Sequence, residues 1–336
     1  MGSRFPSLTL ICTFLCLISS TWAGPIGWPP WMASGYSKGG YGRPKPDDSW
    51  KQRNLDTITK IYNLTVFPNQ LPIIKHGAAG VPPGLFSHDV VGRVDPVGDF
   101  VGFEDSIEYF FALAPVPAGN GAFAAITRAQ ITEFNTACKD VAASVVYLYC
   151  NVVDPGSPNH GKALAPLKQV AFWRFDEEGA VLKYDAWIPN LNTWVERTTA
   201  APVTNKEFQL QSIQQICALT QMRCNGANQQ WTSVTECVTA LSGKPYGNYD
   251  AAWGDNVVCR SIHLVLTQVR PDVSFFFLLF FPHRYPFQML ICTLQVHCSH
   301  VGPTGGGKCV NVQYPNDYFA DESLYGDPIG ETFVCK

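Results

Sequence analysis

At 336 residues the chain has room for two modest domains, each large enough to bury its own core. Its formal net charge is −3 and no long basic run occurs, which argues against a nucleic-acid or anionic-membrane partner.

The first 23 residues read as a secretory leader. Arg4 precedes the apolar stretch Leu8 to Ile18, and Thr21 and Ala23 are small residues placed for cleavage before Gly24. The apolar run is too short to be a comfortable membrane anchor, so no span is expected in the mature chain. Twelve cysteines are present, and ten remain once Cys12 and Cys16 leave with the leader. In an exported, extracellular protein disulfides are the default state for them. Asn63-Leu64-Thr65 is a glycosylation sequon, which suits export.

Residues 24–49 are crowded with glycine, proline and isolated aromatics, and read as a disordered arm rather than a sugar- or partner-binding tail. Leu55, Ile58, Ile61 and Tyr62 recur at helical spacing and predict an amphipathic helix over about 50–62. Leu85 to Phe103 predicts short extended pieces broken by Gly92, Pro96, Gly98 and Gly102. Val101 to Pro115 follows as a short aromatic helix ended by proline. Phe123 to Cys138 gives no firm assignment, Val145 to Val153 is a strand, and Pro155 to Pro166 a loop. Gln169 to Pro189 then forms a hairpin: two aromatic-rich runs flank the turn Asp176-Glu177-Glu178-Gly179. On its second run Lys183, Asp185 and Trp187 share one face, and Leu182, Tyr184, Ala186 and Ile188 the other. Both faces carry large side chains.

The aromatic helix and this hairpin together resemble the closing half of the SnoaL-like branch of the NTF2-like superfamily. More closely, the chain is similar to secreted fungal proteins in which that domain precedes a cysteine-rich region. The resemblance implies an α+β cone over 50–197, a curved antiparallel sheet and helices enclosing a pocket. Matched by motif, Asp185 is the acid/base candidate, and His88 or Asp89 with Tyr109 completes a polar cluster among Trp173, Phe175 and Trp187. An apolar cleft would raise a carboxylate's pKa and suit Asp185 as a base toward a carbon acid. Beside this stand plainer readings. Asp185 fits a salt bridge or a turn-facing surface position, His88 an exposed loop histidine, and Trp173, Trp187 and Tyr109 a core. The family includes cyclases, isomerases, dehydratases and binding proteins, so the fold alone does not choose among them.

After a linker at Thr198 to Thr204 the character changes to short helices with cysteines over 204–336. Thr204 and Glu207 have the spacing of a capping box, and Cys224-Asn225-Gly226 ends that first helix. Cys217, Cys224, Cys237, Cys259, Cys298, Cys309 and Cys335 are expected to staple the helices, and Cys138 and Cys150 are further disulfide candidates. Cys259, His263, His297, Cys298 and His300 are residue types that bind zinc. In an exported chain Cys259 and Cys298 are expected as disulfide partners instead, so no metal and no cofactor is assigned. Gly302 to Lys308 has the glycine and lysine spacing of a phosphate loop, but Cys309 stands where Ser or Thr is needed and no strand precedes it, so it is a turn.

Residues 273–295 are unlike their surroundings. Pro282 and Pro286 interrupt the run, which rules out a membrane helix, and it has no amphipathic period. The segment reads as a retained intron whose excision joins Asp272 to Val296 and removes Cys292, which leaves an odd cysteine.

The leading functional expectation is a pocket that binds a small, largely apolar molecule. The others are a cofactor-free isomerase, cyclase or dehydratase in the same pocket, with Asp185 as base, and an extracellular interaction protein that works through its cysteine-rich part.

Overall fold

The hairpin at 169–189 forms the middle of a six-stranded sheet. The computed structural model describes residues 48–117, 124–270, 297–311 and 332–335, with the backbone alone of 273–277 and 290–294. The leader, and the arm as far as residue 47, lie outside them.

Helix α1 (Ser49–Thr65) buries Ile58, Ile61 and Tyr62, and α2 (Leu71–His76) follows. Strands β1 (Phe86–Asp95) and β2 (Gly98–Val101) precede α3 (Phe103–Ile107), which widens into a π turn over Glu108–Ala112. The unassigned stretch is strand β3 (Ala124–Cys138), followed by β4 (Val141–Val152), β5 (Leu167–Phe175) and β6 (Val181–Trp187). The order across the sheet is β2-β1-β6-β5-β4-β3. Within this sheet only β1 and β6 run parallel, so its first strand in sequence pairs with its last. This is the α+β cone expected from the resemblance.

The inner face of the sheet carries Trp173, Phe175, Tyr184 and Ala186, and packs with Tyr62 and Phe110 from the helices. The first turns of α1 hold the hairpin tips from below. Arg53 donates to the carbonyls of Glu177 and Lys139, Asn54 to Lys139, and Thr57 to Gly179. Gly179 has φ +91°, and a Cβ there would sit 2.5 Å from Arg53 Nε, so the turn demands glycine.

Beyond the sheet lie α4 (Leu191–Thr199), α5 (Lys206–Arg223), α6 (Val234–Ser242), α7 (Val257–Leu266) and α8 (His297–Val301). The cap of α5 is Asn205, not Thr204: its side chain accepts from the amides of Glu207 and Phe208. Ile213, Ile216, Trp231, Leu241 and Leu264 form a second core threaded by disulfides. The described part of 273–295 is a pair of antiparallel strands, β7 (Val273–Phe277) and β8 (Leu290–Leu294). No helix among the described residues is long and apolar enough to cross a membrane.

Among the described residues four disulfides join Cys138–Cys335, Cys217–Cys237, Cys224–Cys298 and Cys259–Cys309. Two expectations are corrected. Cys259 and Cys298 take other partners, because α7 and α8 pack with each cysteine facing a different neighbour. Cys335 staples the chain's end to the sheet rather than to a helix. A third correction concerns Cys150, a buried free thiol on β4 rather than half of a disulfide. Burial pushes it up to about 12. In native protein Cys150 should resist iodoacetamide and be alkylated only in denaturant, which peptide mapping would read directly.

Candidate functional site

A cavity of about 160 Å³ lies between the inner face of the sheet, the π turn and α7. Most of its wall is aliphatic or aromatic, including Leu113, Ile126, Leu148, Ile188, Ile262 and Val265. Three polar side chains meet at one side. Tyr62 on α1 donates to Gln169 Oε1 at 2.7 Å, and Gln169 Nε2 on β5 donates to the Tyr109 hydroxyl. Burial pushes both phenols well above the ordinary tyrosine range, so both keep their protons. Tyr109 accepts from Gln169 and so retains its own proton to donate. No Asp, Glu, His or Lys stands among the described residues that line the cavity. Chemically it is an apolar receptacle with a neutral hydrogen-bonding corner.

The residues singled out from sequence fall in different places. Tyr109 lines the cavity. Trp173 and Phe175 are on the same face but deeper, at 0% and 2% exposure, and serve as core. Asp185 lies on the opposite face of the sheet, against the expectation of a pocket base. It pairs across β6 and β5 with Phe172 and binds Arg93 Nη2 at 3.1 Å. Trp187 shares that outer face, with its ring edge-on to Phe172 at 5.9 Å. The reason is the period of two: the inner set is Tyr184, Ala186 and Ile188, so the pocket takes the other face from the one assigned to it. His88 is exposed and contacts Asp89 at 3.0 Å, away from the cavity. Asn63 is exposed near the end of α1.

Gln169 and Tyr62 were not legible as site residues, although each carried a signal. Gln169 is the one amide on an inward row of Ala171, Trp173 and Phe175, and Tyr62 is the polar-tipped member of the buried stripe of α1.

The π turn also has a second side. Glu108, next to Tyr109, is buried and faces the helical region. Arg270 grips its carboxylate with Nε and Nη2, both at 2.7 Å, and His297 Nε2 meets it at 2.9 Å. Arg270 Nη2 also bonds Asp105 at 2.5 Å. Beyond His297 lie two more imidazoles. His263 Nδ1 is 3.4 Å from His297 Nδ1 and 3.2 Å from His300 Nδ1. Burial, reinforced by the neighbouring imidazoles, holds His263 well below its usual range, and burial lowers His300 to about 3, so both rings are neutral. This cluster borders a cavity of about 110 Å³. Val97 and Ile262 line both cavities, so one layer of side chains separates them.

The chain is similar to proteins of two Aspergillus species. It is 29% identical over 240 residues to aurasperone B biosynthesis cluster protein A of Aspergillus niger, covering 68% of this chain and 69% of that protein. It is 28% identical over 239 residues to bifonsecin B biosynthesis cluster protein A of Aspergillus brasiliensis, covering 68% and 71%. Among solved structures, a Jannaschia protein described as a SnoaL-like polyketide cyclase aligns at TM-score 0.31 and 12% identity, covering 45% of this chain and 94% of that one. A Pseudomonas aeruginosa steroid delta-isomerase aligns at TM-score 0.27 and 12% identity, covering 44% and 90%. The BfoA N-terminal domain model matches residues 61–186 and the BfoA family C-terminal domain model residues 180–275. The two matches come in that order, overlap at residues 180–186 and together span residues 61–275.

Proposed function

We propose that this protein binds a small, largely apolar molecule in the cavity beneath the sheet, and that the Tyr109 hydroxyl donates to an oxygen of that molecule. The observation that carries the reading is the buried Tyr62–Gln169–Tyr109 relay at the edge of an otherwise apolar wall. A buried hydroxyl with a proton to give favours a ligand that supplies an acceptor. The naming of two relatives for biosynthesis clusters is in keeping with a small organic ligand. The isomerase or cyclase reading needs a proton acceptor against the cavity, whereas Asp185 lies across the sheet.

Native mass spectrometry of the secreted protein tests the proposal. The expected result is a small molecule retained on the folded chain and released by denaturant. Tyr109→Phe should weaken its retention, or that of an apolar aromatic ketone, about 3- to 10-fold, the worth of one hydrogen bond. A native spectrum free of ligand, together with no uptake of the ketone, would sink the idea.

We further propose that the protein is exported and that residues 273–295 come from a retained intron. Four disulfides favour an oxidising compartment. Arg270 and His297 flank the insertion, yet both bond the same Glu108 carboxylate. Excision leaves three residues between them, which span at most roughly 14 Å from Cα to Cα, ample for two side chains meeting at one group. Removal of Cys292 leaves Cys150 as the odd cysteine, and Cys150 is a buried free thiol. The intact mass of the secreted chain reads both proposals at once: it should begin at Gly24 and lack the insertion.

A further inference from the structure

The three histidines beside Glu108 are arranged as ligands. Their converging atoms are all Nδ1, at 3.4 Å for His263–His297 and 3.2 Å for His263–His300. A tetrahedral zinc site with Zn–N near 2.0–2.1 Å places its nitrogens about 3.3 Å apart. Hydrogen bonding alone does not account for the cluster. His297 Nε2 donates to Glu108, and its Nδ1 is turned toward His263. His263 Nδ1 carries at most one proton and contacts two Nδ1 atoms. One N–H or one lone pair there can be well aligned with only one of the two. A cation at the centre satisfies all three nitrogens.

The supporting shell is equally specific. A carboxylate on the far nitrogen of a histidine orients the ring and raises its basicity as a ligand, and Glu108 does this for His297. Arg270 and Asp105 fix Glu108 in turn. Disulfides set the ligand-bearing helices. Cys259, one turn before His263, is tied to Cys309, and Cys298, between His297 and His300, is tied to Cys224. Because Cys259 and Cys309 are bonded to each other, neither offers a thiolate, and the donor set is three imidazoles. The adjoining cavity, lined also by Asp99 and Lys308, leaves room for a water at a fourth position.

We infer that His263, His297 and His300 bind one divalent cation of the zinc class through their Nδ1 atoms, with a fourth position open to the adjoining cavity. This stands apart from ligand binding beneath the sheet. The test uses the full secreted chain with its disulfides intact, stripped with chelator and free of thiol reductant. Titration with cobalt(II) should give one equivalent bound and the visible ligand-field absorption of a four-coordinate site, and zinc should abolish it. His300→Ala, checked for fold by circular dichroism and disulfide content, should weaken zinc binding about 100-fold or more. A folded wild-type chain that takes up neither ion at micromolar concentration would overturn the assignment. So would a folded His300→Ala that keeps wild-type zinc affinity. The wild-type titration decides the matter even if the variant does not fold.

Discussion

Glu108→Ala should lower the unfolding free energy by about 3–5 kcal/mol, the cost of breaking a buried ion pair by removing one partner. Glu108 is only 2% exposed, and it is the single acceptor on which Arg270 and His297 converge. Without it the Arg270 guanidinium keeps only Asp105 among the carboxylates of the described residues, and the helical region loses its polar anchor to the π turn beside the sheet. Glu108→Gln preserves the volume and one carbonyl oxygen, so its loss should be distinctly smaller. Urea denaturation reads both variants as midpoint shifts. If Glu108→Ala unfolded within 0.5 kcal/mol of wild type, the network would not be what joins the two regions.

Trp173→Ala should cost a similar amount, about 3–5 kcal/mol, through a different mechanism. The indole is fully buried, stacked on Phe110 at 5.8 Å and edge-on to Tyr62 at 6.2 Å, and its Nε1 donates to Ser144 Oγ at 2.9 Å. Truncation leaves a void with aromatic walls and a hydroxyl stripped of its donor. The variant also separates two roles that the sequence leaves entangled. A residue that touched ligand would lose binding in proportion to lost contact. Trp173, lying below the cavity, should lose stability first, so a variant still folded at low temperature should retain most of its ligand affinity. A denaturant midpoint lowered at unchanged slope would mark a simple loss of packing.

The difference between those two residues shows what sequence reasoning can reach here. The hairpin, the aromatic helix and α1 were legible because apolar spacing and turn residues agree locally. Strand β3 was not, since its sequence Thr-Arg-Ala-Gln-Ile-Thr-Glu puts polar groups on both faces of an edge strand. In β6 the alternation was read correctly, but which face meets the helices depends on where the chain's ends fall. Phe172, Trp187 and Asp185 gather on the outer face, where the segment near Thr332 and Phe333 packs, some 150 residues downstream. No local pattern announces that cover. Disulfide pairing was hidden for the same reason, because it records which helices are neighbours. The histidine cluster sits between these cases. Its residue types were visible in sequence, but the deciding partner, Glu108, lies 189 residues before His297, on the π turn beside the sheet.

The bond between Cys138 and Cys335 spans 197 residues, from the end of β3 to the penultimate residue. Everything between them is therefore a covalent ring rather than an open tail. A protease that cuts one loop inside it linearises the ring without releasing a piece, and the nicked molecule gains only the mass of one water until a reductant is added. For a protein with long connections in that interval, resistance to fragmentation need not require resistance to cleavage.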